Sequence, residues 1–165
     1  YELKEEGGTV LARVNSIKSD SYNFLIHGNP LSCIGVVVRR EDFLRFKFNE
    51  DRKLTLSEDW ELWLRLVANF GIKTDNRISA AMIAHDKRSV LTADESKLLD
   101  RKHLSFQYAF ADKRVQEVFG NHLKKMKAYF DLYISLQLAL VKMKKRSLHY
   151  LHHLIATPLA EKSIQ

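Results

Sequence analysis

Ser57-Glu58-Asp59-Trp60-Glu61-Leu62-Trp63-Leu64-Arg65-Leu66 is the stretch that decides the fold. Trp60, Trp63, Leu64 and Val67 recur at helical spacing, and Leu66 and Phe70 widen that apolar face. Ser57 is a good N-cap, and Thr55-x-x-Glu58 offers an alternative capping box. Glu58 and Asp59 put negative charge at the positive end of the helix, and Gly71 is a natural stop. Upstream, Cys33 to Arg40 (CIGVVVRR) is short, β-branched and nearly all apolar at its start, which reads as a buried strand. Arg39 to Phe43 should leave the sheet and begin a short helical turn. Residues 46–56 read as a loop anchored by Phe46 and Phe48. Residues 20–30, with Gly28, Asn29 and Pro30, read as a loop around a short apolar piece. Residues 9–18 partly alternate, as a strand or a short helix would.

Downstream, residues 72–84 read as a turn and a strand, and His85 to Ser89 as a polar exit loop. From Asp94 onward no strand pattern appears. A helix capped by Thr92 or Asp94 should run to about residue 118, where Gly120-Asn121 breaks it. Residues 122–153 then form one long helix or two. The expected fold class is mixed α/β and helix-rich: a strand–helix–strand part over 1–92 and a basic helical extension over 93–165.

The chain has 165 residues, of which 45% are hydrophobic and 28% charged, so an ordinary packed core is within reach and disorder is not indicated. It opens at Tyr1 with acidic residues close behind and no basic-then-apolar leader, which suggests a piece of something longer, or a removed Met. The single cysteine, Cys33, excludes an internal disulfide and a cysteine zinc site. It is expected to be a small buried residue, in keeping with a reducing compartment. The net charge of +7 is uneven: residues 1–120 carry +1 and residues 121–153 carry +6. Any argument for a polyanionic partner therefore rests on the C-terminal segment.

The helix with its Glu-Asp opening resembles a signature of the family 2 glycosyltransferases, which have the GT-A fold. Three flanking pieces resemble the same family in order: VVVRREDF (Val36–Phe43), FNEDRKL (Phe48–Leu54) and MIAHDKRSV (Met82–Val90). The resemblance covers about residues 29–92. It implies the C-terminal, acceptor-side portion of an inverting transferase that moves a sugar from a nucleotide-diphosphate sugar to a glycan or lipid-linked acceptor, in cell-surface polysaccharide synthesis. It implies a cytoplasmic enzyme, peripheral at the inner face of the membrane. The chain alone would be inactive, because the donor-binding half is not in it.

By that resemblance Asp59 is the general base, with Glu58 its neighbour in the acceptor site. A carboxylate at a helix N-terminus is expected to stay ionised, accept a hydrogen bond from the acceptor hydroxyl, and take its proton. The plainer reading, a pair of acids complementing the helix dipole, remains open. Trp60 is the tryptophan placed to line the acceptor site, against the alternative that Trp60 and Trp63 both pack in the core. Arg65 is expected to form a solvated ion pair with Glu61 at i,i+4. His85 is placed beside the leaving diphosphate and Arg88 against substrate, with an ordinary polar loop as the alternative. His85 and Ser89 are separated by three residues where the family more often has two. A divalent metal (Mg or Mn) is implied for the complete enzyme. The Asp-x-Asp element that would hold it is absent from this sequence, as is a Gly-rich phosphate loop.

The tail, residues 122–153, has apolar positions on more than one face and is interrupted by Asp131 and Gln137, so it is not read as a membrane span. It reads as a helix packed on the core with a solvated lysine face, as a basic amphipathic surface on an anionic leaflet, or as a self-association surface. No nucleic-acid motif or interleaved aromatic platform is present, so no nucleic acid is expected as a partner. A non-catalytic basic helical module that binds a membrane or a protein is thus the alternative to the enzyme.

Overall fold

The structure, a computed structural model, describes residues 1–14, 22–75, 77–84, 95–140 and 142–156. It is helix-rich with one small mixed sheet. Strands β1 (Glu2–Lys4), β2 (Val10–Arg13) and β3 (Ala81–Ile83) lie in the order β2-β1-β3. β1 is antiparallel to β2, with Leu3 opposite Ala12, and parallel to β3, with Leu3 opposite Met82. The helices are α1 (Arg40–Arg45), α2 (Glu58–Phe70), α3 (Glu95–Ala109), α4 (Lys113–Phe119), α5 (Leu123–Leu140) and α6 (Lys144–Ala156). The partly alternating stretch at 9–18 thus supplies a strand, and residues 22–27 form a 3-10 turn around buried Leu25 and Ile26.

α2 is the centre of the molecule. Trp60, Glu61, Leu62, Trp63, Leu64, Leu66, Val67 and Ala68 are all buried, so the helix is enclosed on most of its circumference. α3 and α4 pack along it, and the 22–27 turn packs beside its first turn. One apolar cluster joins Trp60, Trp63 and Leu64 to Phe106, Phe119 and Met126, so residues on either side of position 92 share a core. Each large apolar side chain in that cluster contributes roughly 1.5–3 kcal/mol of burial. The helix ends at Gly71, whose φ of 73° and ψ of −169° suit glycine almost alone, with its N–H on the Val67 carbonyl at 2.9 Å.

Glu61 is only 1% exposed and sits in the first turn of this helix. Arg65 meets it with two hydrogen bonds, Nε to Oε1 at 2.6 Å and Nη2 to Oε2 at 2.8 Å. The i,i+4 pair expected to be solvated is therefore an interior one, because neighbouring elements close over α2 on that side as well. The same Nη2 also donates to the Lys47 carbonyl at 3.0 Å, which ties the 46–48 loop to the helix. Phe46 and Phe48 then anchor that loop as expected, edge-on to Phe70 at 5.4 Å and to Trp63 at 6.2 Å.

Cys33 to Arg40 is not a buried strand. Residues 33–35 turn as a short 3-10 segment, and Cys33 is exposed. Val36 and Arg39 are extended, but no described strand pairs with them, and Val37 is 96% exposed. A β-branched run favours extended backbone, yet a strand needs a ladder partner, and the neighbours of β1 are already β2 and β3. The helical turn after it forms as expected, as α1.

The helix expected to run unbroken to 118 stops at Ala109, and Asp112 caps α4 through the Arg114 and Val115 amides. The long tail divides into α5 and α6, with Lys142 in a left-handed conformation between them (φ 63°). Asp131, an interruption in the apolar run, is buried and ion-paired with Lys102 of α3. Among the described residues no helix is long and apolar enough to cross a membrane.

Arg65→Met leaves Glu61 buried without its partner and should cost about 3–5 kcal/mol in chemical denaturation. The double variant Glu61→Leu/Arg65→Met should recover most of that loss. A double variant no more stable than the single one would show that the pair is not what stabilises α2.

Candidate functional site

The N-terminus of α2 is set by a tight turn over Leu54–Ser57. The Ser57 N–H donates to the Leu54 carbonyl at 2.7 Å, Thr55 has φ −44° and ψ 126°, and Leu56 has φ 76°. These values describe a type II turn in which leucine holds the position that usually takes glycine. Backbone strain of this kind tends to collect at functional sites, and here it lies three residues before Asp59.

Neither expected hydroxyl caps the helix. Ser57 is the N-cap residue but its side chain makes no cap bond, and the Thr55 hydroxyl donates to the Arg52 carbonyl at 2.6 Å. The two acids do this work instead. The Glu58 carboxylate folds back to accept the Ser57 N–H at 2.9 Å, and Asp59 Oδ1 accepts the Trp60 N–H at 2.7 Å.

Asn29 completes the setting. Its Oδ1 accepts the Leu31 N–H at 3.2 Å, and its side chain hydrogen-bonds the Asp59 carboxylate. The loop carrying it is held from behind: Leu25 is buried, its carbonyl accepts the Trp60 indole N–H at 3.4 Å, and His27 meets Tyr129 of α5 edge-on at 4.6 Å. Asp59 itself is half-buried. Burial pushes its carboxyl above the ordinary value of 3.8, the Trp60 N–H opposes that, and the charge of Glu58 adds to it. Burial thus works against the expectation that the helix end keeps Asp59 ionised, because dehydration outweighs the favourable Trp60 amide.

Cys33 lies close enough to feel both acids. Partial dehydration by the surrounding loop raises its thiol first, and the charges of Asp59 and Glu58 raise it further. The site therefore gathers Asp59, Glu58, Asn29 and Cys33 from three stretches of chain. Asn29 and Cys33 were not singled out as site residues by sequence; they lie in a turn-forming and an apolar stretch with no spacing relation to Asp59.

Trp60, expected to line the acceptor site, is 4% exposed, with its ring against Phe106 at 5.3 Å and Phe130 at 5.8 Å. Its burial favours the core-packing reading that stood beside that expectation. Trp63 is buried too, and among the described residues its indole N–H has no acceptor. It lines a groove of about 1050 Å³ together with Val36, Val38, Phe70 and Ile72, and neither Glu58 nor Asp59 lines that groove. His85, Arg88 and Ser89, and the expected caps Thr92 and Asp94, lie outside the described residues. Among the described residues no cluster of three or more His, Cys, Asp or Glu side chains is placed to hold a metal ion.

No family model, no curated protein and no solved structure matches the chain.

A folded pKa raised above 3.8 means that the native state takes up the Asp59 proton before the unfolded chain does. Relative to Asp59→Asn, the parent should gain stability as pH falls through that raised pKa towards 3.8, and lose it again as pH rises. Urea midpoints of both proteins across this window check the sign. Cys33 offers a second readout. Asp59→Asn removes a negative charge near the thiol and should speed its alkylation by iodoacetamide at neutral pH; an unchanged rate would mean that the Asp59 charge does not reach Cys33.

Proposed function

We propose that this chain is the acceptor-side portion of an inverting glycosyltransferase that uses a nucleotide-diphosphate sugar, with Asp59 as its general base. One observation carries the reading: Asp59 is a half-buried carboxylate at a helix N-terminus, held by Asn29 and the Trp60 N–H, with a pKa raised by burial. A carboxylate more basic than usual, fixed in direction and still open to solvent on one side, is suited to receive a proton from a bound hydroxyl. The resemblance of residues 29–92 supplies the reaction class.

In that reaction the acceptor hydroxyl donates a hydrogen bond to Asp59. Its oxygen attacks the anomeric carbon of the donor, the bond from that carbon to the diphosphate oxygen breaks, and the hydroxyl proton passes to Asp59. Inversion follows from a single displacement. Glu58, held by the Ser57 N–H, keeps a second negative charge beside the base, which opposes ionisation of Asp59 and so favours proton uptake. In the complete enzyme a divalent ion would offset charge on the leaving diphosphate. Acceptors at the cytoplasmic face of the membrane fit the reading.

In the full-length polypeptide, Asp59→Asn should lower sugar transfer by about 10²–10⁴-fold, the usual size of a general-base contribution, while leaving donor binding unchanged. The measurement is initial rate and nucleotide-sugar affinity for parent and variant. Near-parental transfer would reduce Asp59 to a helix cap worth about 1 kcal/mol.

A further inference from the structure

The turn between α5 and α6 plays no part in the proposed chemistry, and its surface is unusual. Leu136 (55% exposed) and Leu140 (76%) lie one helical turn apart on α5, Leu148 (63%) lies on α6, and Met143 lies exposed between them. Single exposed leucines are ordinary, but here four large apolar side chains share one end of a helical hairpin. Lys142, Lys144, Lys145 and Arg146 are exposed in the same turn. From residue 132 to 156 the sequence has no aspartate or glutamate, and the nearest acid, Asp131, is buried against Lys102.

The turn is also a shaped element. The Lys142 N–H donates to the Ala139 carbonyl at 3.0 Å and the Met143 N–H to the Leu138 carbonyl at 2.9 Å, which is a Schellman closure with Lys142 in the left-handed position. Below it, the buried Ser135 hydroxyl meets the Ser147 carbonyl at 2.9 Å and fastens the two helices. Leucines and a methionine flanked by lysines on a fixed turn match what an anionic membrane surface recognises. Apolar side chains enter the boundary between headgroups and acyl chains, and ammonium groups stay among the phosphates.

We propose that the α5–α6 turn docks on an anionic phospholipid bilayer, with Leu136, Leu140, Met143 and Leu148 entering its interface and Lys142, Lys144 and Lys145 facing lipid phosphates. In this arrangement the turn lies on the surface of the bilayer. Such docking would hold the α2 site near an acceptor anchored in the same membrane, but its physical basis is independent of Asp59.

The test is cosedimentation of the chain with vesicles of phosphatidylcholine, alone or mixed with phosphatidylglycerol. Binding is expected only with phosphatidylglycerol, and weaker at high salt. Lys144→Ala and Lys145→Ala should each weaken partitioning by about fivefold. Leu140→Ser should weaken it independently, and Asp59→Asn should leave it unchanged. These side chains are exposed, so circular dichroism should match the parent for each variant. Equal binding to both vesicle types, or none, overturns the proposal. So does a dimer in light scattering that Leu140→Ser dissociates while vesicles stay unbound, which would assign the surface to a second copy of the chain.

Discussion

A carboxylate inside an apolar helix face must be answered from close by, and Glu61 is answered by Arg65 one turn along. Much of the structure follows from that pair. Because Glu61 is satisfied within its own helix, α2 can be covered on that side as well as on its apolar stripe. Because Arg65 has donors to spare, it also takes the Lys47 carbonyl and fixes the loop that carries Phe46 and Phe48. Asn69, one turn further on, donates to the Arg65 carbonyl at 2.9 Å and to Asp112 at 3.3 Å, so the same edge of α2 reaches the cap of α4.

A helix held this firmly along its length can carry a strained entry. Leu56 adopts a conformation that favours glycine, and Asp59 keeps a carboxylate where burial disfavours its charge. Both are local costs, and both sit within four residues at the same end of α2. The apolar cluster behind them, with Trp60 against Phe106 and Phe130, is what allows them to persist. Stability thus sits behind the site and destabilising chemistry in front of it, an arrangement often found where a side chain is kept for its reactivity.

What the sequence made legible is what local spacing encodes. The span of α2, its glycine stop, the Arg65–Glu61 pairing and the turn into α1 all depend on residues within about four positions of one another. The strand expected over Cys33 to Arg40 depends on a partner far along the chain, and apolar β-branched composition says nothing about whether that partner is present. β1 escaped notice because three residues, two of them charged, carry no usable alternation. The break between α3 and α4 rests on one side-chain cap, Asp112, among residues that favour helix throughout. The approach of Asn29 to Asp59 joins positions thirty apart, which no periodicity reports. The buried state of Trp60 was one of two readings open from the sequence, and only the placement of α3 and α5 distinguishes them.

Both tryptophans of the chain lie on α2, three residues apart and out of water. Red-edge excitation of indole fluorescence therefore samples this one helix, and the sheet and the α5–α6 hairpin are silent in that channel. The two emitters are not equivalent: the Trp60 N–H is engaged by a carbonyl, whereas the Trp63 N–H faces no acceptor among the described residues. The protein thus carries an optical label at the centre of its fold, whose two halves report on different surroundings: Phe106 and Phe130 around Trp60, Phe48 beside Trp63.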